Sequence, residues 1–522
     1  MLSSTHFKAR SEPIAFSIGS LVWGPILLSF SDWVIDKTIA AGSACILCLM
    51  REAEVFAPLI ETRLKQRNVS NINVKKLYAS RKSTFWPSIN IESDTWFEDL
   101  LYILVQRRGY TVDDFYRDFL LKPDGMLQSH AEVLLRNADG LYYQGQNLLK
   151  QLTEVARKNS QTVKQNIAMQ KELFIRYYAH NIGDNFENCT VVDLGNGGTI
   201  QHQIELILNT KSAANLLLYS SQRIYRYAST THYRSFLDAK TDVRDLRLLF
   251  SRSPECIEPF LVGDCGTTLG YENDEVGSPI VADALVENSN SVQDFMCGVE
   301  KYFLTHYELG FGCIEIQQVI PILYRYIQFP TKDESALFTR IFHQDNFGSN
   351  VAYPIVTATQ LKDVEQYGVA NFHLEFCQNF KLKIGKIHWP QAIITLLSEK
   401  FLIKQSGFMS MDTDNNVLSL VERLETEKWT HFSVYGAGLF FEKLLPYIEK
   451  ADLHVEFLID RKAEVCDQYT VSGYEVISLD TALKKGCKRI LISSFAYKDE
   501  ISRIIYEQSQ KSPQGIVEVL SL

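Results

Sequence analysis

An acidic residue followed by a run of glycines is the feature of this sequence best suited to bind a phosphorylated ligand. Residues 191–199 read VVDLGNGGT, so an apolar strand leads to Asp193 and then to a turn that opens a helix. Gly197 and Gly198 would let backbone N–H groups approach a phosphate, and a helix start adds positive potential. Thr199 can donate from its hydroxyl, and Asp193 can bind sugar hydroxyls. The pattern favours a phosphate or sugar-phosphate site.

One alternative to a phosphate site stays open: the glycines could serve only the close packing of a turn between a strand and a helix. A Walker loop is excluded, because no lysine follows the glycines.

Basic residues follow two other strand-like segments. Arg51 comes directly after the apolar run 44–50, and Arg81 and Lys82 follow the run 76–79. Ligands of open α/β sheets bind beyond the carboxyl ends of the strands, and arginine has a planar fork that suits phosphate oxygens. We therefore expect Arg51, Arg81 and Asp193 to surround one cleft. Solvated side chains, with Arg51 paired to a neighbouring acid, are the alternative.

A second glycine turn lies near the carboxyl end of the chain. Gly436 and Gly438 follow a short apolar strand, and Asp460 ends the next one, a spacing that suits an acid bound to a ribose hydroxyl. Phe441 stands where a dinucleotide-binding turn has its third glycine. Nucleotide binding and a purely structural module both remain open for this region.

Alternating strands and helices predict an α/β protein with a parallel, doubly wound sheet. We expect a first region over residues 1–404, with a helical insertion at about 91–180, and a separate α/β domain over 428–522. Polar residues predict a linker at 405–427. The uncharged run 13–30 contains several glycines and serines, so we expect a buried helix-turn-helix and at most peripheral membrane association.

Composition excludes several classes of protein. The chain has 522 residues, 46% of them hydrophobic, and a net charge of −9. These values argue against a disordered chain and give no basic footprint for nucleic acid. The 10 cysteines are scattered, and Cys45 and Cys48 lie in an apolar run, so we expect buried thiols and a reducing, cytoplasmic location. The 11 histidines form no pattern typical of a metal site.

The order of these motifs resembles the glycan phosphoribosyltransferase region of bacterial polysaccharide-cluster proteins, of the ribofuranosyltransferase type. The resemblance covers about residues 12 to 350. It is carried by Gly24-Pro25, Phe30, Trp33, Arg51, Ser80-Arg81, Asp193, Gly195, Gly198, Thr199, Gln201, Gly266-Thr267 and Gly270-Tyr271.

The resemblance implies a phosphoribosyltransferase-like parallel sheet with large helical insertions, joined here to a Rossmann-like carboxyl-terminal domain. It also implies transfer of 5-phosphoribosyl from phosphoribosyl diphosphate, or a related sugar phosphate, to a glycan, with Mg²⁺ on the donor pyrophosphate. Arg51, Glu52 and Asp193 would be catalytic, and Glu52 is the nearest candidate base. The expected substrate-binding residues are Arg81, Lys82, Asn196, Gly197, Gly198, Thr199 and Gln201; Gly436, Gly438 and Asp460 would bind a cofactor.

The sequence departs from the family in three ways. Its Arg-Asp-Gly motif is Arg51-Glu52-Ala53 here, and only Asp193 stands where ordinary phosphoribosyltransferases have two adjacent acids. The haloacid dehalogenase-type phosphatase that often accompanies the family has no visible motif, so a separate protein would remove the 5-phosphate. Two other functions therefore stay open: a non-catalytic nucleotide- or sugar-phosphate-binding regulator, and a nucleotide-sugar-dependent transferase.

Overall fold

The chain divides into two compact units, Met1–Leu402 and Ile403–Leu522. A computed structural model describes most of both. The described residues are 13–107, 109–183, 185–237, 253–262, 265–283, 288–344, 352–379, 387–406, 413–466, 469–494, 497–510 and 517–521.

The first unit contains a five-stranded parallel sheet, so this part of the chain has the α/β fold that the alternating pattern predicts. Its strand CILCL, which lies between two other strands, is buried along its whole length, as is typical of parallel sheets covered on both faces. The strands of the unit are β1 Cys45–Leu49, β2 Asn73–Leu77, β3 Tyr142–Tyr143, β4 Gln146–Asn147, β5 Cys189–Asn196, β6 Ala214–Ser220, β7 Tyr233–Leu237, β8 Thr268–Tyr271, β9 Pro279–Val281, β10 Phe342–Gln344 and β11 Ala352–Pro354.

The strand order β2-β1-β5-β6-β7 places Arg51, which follows β1, next to the strand β5 that carries Asp193. The chain moves from β1 outward to β2, returns to β5 on the other side of β1, and then continues outward through β6 and β7. A crevice forms where the strand order reverses, at the carboxyl ends of the two central strands. Here those strands are β1 and β5.

The α-helices of the first unit are mostly short and cover the sheet. They span Ile14–Ala40, Ala53–Gln66, Arg81–Phe85, Trp96–Gln106, Val112–Asp118, Gly125–His130, Leu148–Lys158, Ser160–Tyr177, Thr199–Leu208, Glu258–Leu261, Ser289–Glu308, Ile316–Gln328, Lys332–Leu337, Ala358–Tyr367, Val369–Asn379, Pro390–Leu397 and Phe401–Gln405, the last of which crosses into the second unit.

The amino-terminal segment is one helix, Ile14–Ala40, with a π-helical turn at Ile18–Trp23. The predicted helix-turn-helix is therefore wrong. The glycines serve helix packing instead of a turn: a Cβ on Gly19 would lie 2.1 Å from the carbonyl oxygen of Phe295, and one on Gly298 would lie 2.2 Å from that of Phe16. The backbones of this helix and of Ser289–Glu308 thus cross in direct contact.

This helix is long and apolar enough to cross a membrane, but 78% of its most apolar stretch is buried inside the protein. Its one buried acid is accounted for by local pairing. Both carboxylate oxygens of Asp32 accept hydrogen bonds from Arg63, at 2.8 and 3.0 Å, and Arg67 adds a third at 3.2 Å. The planar arginine fork matches the carboxylate, so the charge is compensated in the core.

The predicted helical insertion has a hydrophobic core of its own. Phe97, Leu100, Leu104, Phe115 and Phe119 are buried in one cluster, which is distinct from the clusters on the two faces of the sheet. Because this subdomain packs around its own centre, it can project residues from the end of the helix Trp96–Gln106 toward the sheet.

The second unit contains a six-stranded sheet in the order β14-β15-β13-β12-β16-β17, in which only the edge strand β14 is antiparallel. Successive residues of its strands belong to two different core clusters, so both faces are covered. The strands are β12 His431–Tyr435, β13 His454–Ile459, β14 Thr470–Val471, β15 Tyr474–Ile477, β16 Arg489–Ile492 and β17 Glu518–Ser521, and the helices are Thr413–Thr426, Leu439–Lys450, Leu479–Lys484 and Lys498–Ser509.

The linker predicted at 405–427 is wrong over most of its length. Residues Thr413–Thr426 form a helix, and Val417, Leu420 and Leu424 are buried in the core of the second unit. These three apolar residues recur at helical spacing and form one buried stripe in a segment whose sequence is otherwise rich in polar residues. The remaining part, 407–412, lies outside the described residues.

Candidate functional site

The cleft at the carboxyl ends of β1 and β5 has a volume of about 550 Å³. Arg51 and Glu52 follow β1, Arg81 follows β2, and Asp193 lies on β5, so three strand ends contribute to one site. The lining residues are Met50, Arg51, Glu52, Ser80, Arg81, Gln106, Arg107, Asp193, Leu194, Gly195, Asn196, Gly197, Gly198, Thr199, Ile200, Arg223, Arg226, Tyr227, Glu258 and Thr267.

The glycine-rich turn is held in a backbone conformation that suits glycine. Gly195 has φ +122°, and a Cβ there would lie 1.9 Å from the carbonyl oxygen of Tyr219. Gly198 has φ +64° and precedes the helix Thr199–Leu208, and its carbonyl accepts a 2.6 Å hydrogen bond from the Tyr233 hydroxyl. The turn is therefore fixed from β6 and β7, and the amino terminus of the helix opens on the cleft.

Asp193 is almost completely buried and accepts a 2.9 Å hydrogen bond from Nε2 of Gln201. Burial, and next the charge of Glu52, raise the pKa of Asp193 to about 7, while the bond from Gln201 acts in the opposite direction. Gln201 itself has no exposed surface and does not line the cleft. The structure thus places this predicted substrate-binding residue behind Asp193, where it orients the carboxylate.

The turn that carries Arg81 is built around Ser80. The Ser80 hydroxyl accepts from the backbone N–H groups of Lys82 and Ser83, both at 3.1 Å, and donates to the carbonyl of Thr268 at 2.6 Å. This capping box starts the helix Arg81–Phe85 with Arg81 at the cleft. Lys82 does not line the cleft, so the structure does not support its predicted role in substrate binding.

Several cleft residues were missed from the sequence. Arg223, Arg226 and Tyr227 lie in the 3₁₀ segment Gln222–Tyr227, directly after β6. They obey the strand-end rule that identified Arg51, so the rule could have found them. Arg107 is different, because it ends a helix of the insertion, and no local pattern shows where that helix points.

Glu258 was also missed, and it is the third carboxyl group of the cleft, beside Glu52 and Asp193. Burial, then the charges of Glu255 and Glu52, raise its pKa to about 8, while Arg51 acts in the opposite direction. The described lining thus has five arginines against three carboxyls, two of which are partly protonated near neutral pH. This balance favours an anionic ligand.

The glycine turn of the second unit is organised differently. One carboxylate oxygen of Asp460 accepts from the backbone N–H of Ala437, and the other from that of Lys462, both at 2.9 Å. Gly436 has φ +114° and lies against Ser493, and Phe441 is fully buried. The acid that could bind a ribose is therefore engaged by its own backbone.

Three further findings bear on the identity of the protein. In the described part of the chain, no group of three or more His, Cys, Asp or Glu residues could hold a metal ion. The nine cysteines whose side chains the structure describes are free thiols, and Cys45 and Cys48 are buried as expected. Comparison of the chain with protein-family models and with curated proteins finds no match.

Proposed function

We propose that this protein is a glycosyltransferase of the phosphoribosyltransferase type, which transfers 5-phosphoribosyl from phosphoribosyl diphosphate to a glycan. The observation that carries the proposal is a single cleft that joins arginines from two strand ends with a glycine-rich helix start around a buried aspartate. A donor with a phosphate at one end and a pyrophosphate at the other has the charges that this lining would bind. The first unit would then be phosphoribosyltransferase-like and the second Rossmann-like.

Each group of cleft residues has a defined role in this proposal. Arg51 and Arg81 hold the pyrophosphate, with Arg107 beside them, and the N–H groups of residues 197–199 hold the 5-phosphate. Asp193 accepts hydrogen bonds from the ribose hydroxyls. The enzyme acts mainly by positioning the donor and by stabilising the charge that develops on the leaving pyrophosphate.

Magnesium is part of the same proposal, and it would arrive with the donor. Glu52 and Asp193 offer carboxylate oxygens on the cleft wall, which are ligands that Mg²⁺ accepts. When bound, the ion would neutralise negative charge on the pyrophosphate.

Of the two candidate bases, Glu258 and Glu52, we assign the role to Glu258, a buried carboxyl of the cleft lining whose pKa, raised to about 8, suits a general base. In the reaction, the acceptor oxygen forms a bond to the anomeric carbon of ribose. The bond from that carbon to the pyrophosphate oxygen breaks, and the acceptor proton passes to the Glu258 carboxylate. The product keeps its 5-phosphate, so a separate cytoplasmic phosphatase belongs to the proposal.

Calorimetric titration with phosphoribosyl diphosphate and Mg²⁺ tests the proposal. Arg51→Met keeps the aliphatic length of the side chain and removes the fork, so donor affinity should fall by about tenfold or more. Arg157→Met, which changes an exposed arginine paired with Glu98, is the matched control. No binding by the wild-type protein would refute the donor assignment, and binding without any release of pyrophosphate when glycan acceptors are also supplied would favour the regulatory alternative.

The two adjacent glycines of the turn should respond differently to alanine. A Cβ on Gly197 has ordinary contact with Arg223, at 3.4 Å, whereas one on Gly198 would lie 2.5 Å from the Tyr233 ring at a positive φ. We expect Gly198→Ala to destabilise the protein by about 1–3 kcal/mol. Gly197→Ala should leave stability within about 0.5 kcal/mol and weaken donor binding.

Thermal unfolding and donor titration of both variants check this difference. Equal melting temperatures, or a Gly197→Ala protein with wild-type donor affinity, would contradict the assigned geometry of the loop.

We propose that the second unit does not bind a dinucleotide tightly. Asp460 is engaged by two backbone N–H groups, so Asp460→Ala should lower the stability of the unit by about 1–2 kcal/mol. NAD affinity should be weaker than about 1 mM in wild type and variant alike. Glu507→Ala, an exposed acid in the same unit, is the control for stability. Micromolar NAD binding that Asp460→Ala abolishes would restore the nucleotide site and favour the nucleotide-sugar alternative.

A further inference from the structure

A second cavity of about 740 Å³ adjoins the donor cleft in the first unit. The two share six lining residues, which include Arg81, Gln106, Arg107 and Tyr227, so the cavity opens into the cleft. We call it the aromatic groove, and define it by Phe85, Trp96, Tyr102, Ile103, Leu206 and Tyr227. Its volume lies within the range of pockets that hold small ligands.

The helix Trp96–Gln106 runs along the aromatic groove. Trp96 and Tyr102 line the groove, while Gln106 and the following Arg107 line both groove and cleft. A helix of this length spans roughly 16 Å. The groove therefore leads along one side of the helix to the donor, and a ligand longer than a single ring would reach the cleft with one end.

The walls of the aromatic groove combine exposed apolar surface with uncharged polar groups. Tyr102 is 68% exposed and Ile103 is 44% exposed. Asn90, Ser93 and Gln203 supply amide and hydroxyl groups between the apolar side chains. Rings that are apolar on their faces and polar at their edges suit ligands of the same mixed character.

The ring of Tyr227 is held where the aromatic groove meets the cleft. It stacks on the imidazole of His202, with ring centroids 4.3 Å apart, and Nδ1 of His202 lies 3.0 Å from the hydroxyl oxygen of Thr231. The junction is thus a fixed aromatic surface beside Arg226, not a free side chain.

We propose that the aromatic groove is the acceptor subsite and that it binds an oligosaccharide. This inference rests on the proposed function, which requires that the acceptor place a hydroxyl group beside the ribose of the donor. A sugar ring places its C–H face on an aromatic side chain and its hydroxyls on polar groups, and the groove has both. Its polar lining includes amides, hydroxyls, Asp99 and the three arginines that it shares with the cleft. A lipid chain would leave the polar groups of the wall unpaired, and a single nucleobase would fill only part of the volume.

The test measures binding of the labelled full-length protein to an array of immobilised bacterial oligosaccharides. The wild-type protein should bind a defined set of them, and Tyr102→Ala should bind the same set about tenfold or more weakly. Tyr142→Ala is the matched control, because Tyr142 is also 68% exposed on the helical insertion and does not line the groove. Both tyrosines are exposed, so neither variant should fail to fold.

Donor titration on the same proteins separates the two proposals. Tyr102→Ala should keep its affinity for phosphoribosyl diphosphate within twofold. Donor binding without binding to any oligosaccharide, or with equal oligosaccharide binding by Tyr102→Ala, would overturn the acceptor subsite and leave the proposed function standing. Oligosaccharide binding that depends on Tyr102 in a protein that binds no donor would support the groove and refute the proposed function. Tyr102-dependent binding of adenosine monophosphate or of phospholipid vesicles, with no oligosaccharide bound, would also overturn the inference.

Discussion

Asp193→Asn is expected to abolish release of pyrophosphate from the donor while making the folded protein more stable in mildly alkaline solution. The carboxylate is the proposed acceptor for the ribose hydroxyls, and it lies between the two anion-binding segments of the cleft. An amide cannot supply its charge, so we expect turnover to fall by about 10³-fold or more. The hydrogen bond from Gln201 can still be accepted by the oxygen of the amide.

The stability of this variant follows from the raised pKa of Asp193. An unfolded aspartate titrates near pH 4, whereas burial and Glu52 raise the pKa in the folded protein to about 7. The folded protein therefore binds the proton more tightly, and the wild type loses stability as pH rises from about 4 through about 7. Asparagine does not ionise, so Asp193→Asn should unfold at a higher temperature than wild type at pH 8 and at nearly the same temperature at pH 4.

Thermal unfolding at both pH values, together with a pyrophosphate-release assay, checks these expectations. Asp139→Asn, which changes an exposed aspartate of the helical insertion, should have wild-type activity and no pH-dependent gain in stability. An active Asp193→Asn protein would remove this residue from the mechanism. A variant that is inactive and less stable at pH 8 would mean that the carboxylate has a structural role.

The positions that sequence reasoning located best are those that depend on one strand end. Arg51 comes shortly after β1, Arg81 lies in the turn and helix that follow β2, and Asp193 lies in the carboxyl-terminal half of β5, and parallel strands bring such positions to one edge of the sheet. Neither the order of the strands nor the distance between their ends had to be known. The cleft followed from the common direction of the strands.

The residues that sequence reasoning missed depend on packing between distant segments. Arg107 reaches the cleft only because the insertion has its own core and projects one helix end toward the sheet. Glu258 lies in a short helix after a part of the chain with no clear periodicity. Lys82 is next to Arg81, and the side chain that faces the cleft is decided by the capping box at Ser80, which fixes where the helix begins.

Local polarity misled the prediction in two other places. Residues 405–427 are rich in polar groups, yet Val417, Leu420 and Leu424 have the spacing of a buried helix face. The glycines at the amino terminus suggested a turn, whereas Gly19 lies where two helices touch. In both cases the structure is decided by packing against another helix or strand, which the local sequence does not show.

Glu258→Gln is expected to remove most of the turnover, and the pH dependence that remains should be that of Asp193 alone. A base must be ionised to accept the acceptor proton, and burial with Glu255 and Glu52 raises the pKa of Glu258 to about 8. Turnover at saturating donor should therefore rise with pH up to about 8 in the wild type. The groups that face this carboxyl include Arg51 and Arg81, which lower its pKa, and His343, whose Nδ1 lies 4.0 Å from its Oε2.

The expected loss in Glu258→Gln is about 10²-fold or more at pH 8, and the residual turnover should rise only through about pH 7, where Asp193 ionises. Glu52→Gln is the informative comparison, because Glu52 lines the same cleft and is the other candidate base. If Glu258 is the base, Glu52→Gln should weaken donor binding but keep the rise of turnover with pH. A rise of turnover that still extends to about pH 8 in Glu258→Gln, and that no longer does so in Glu52→Gln, would assign the base to Glu52.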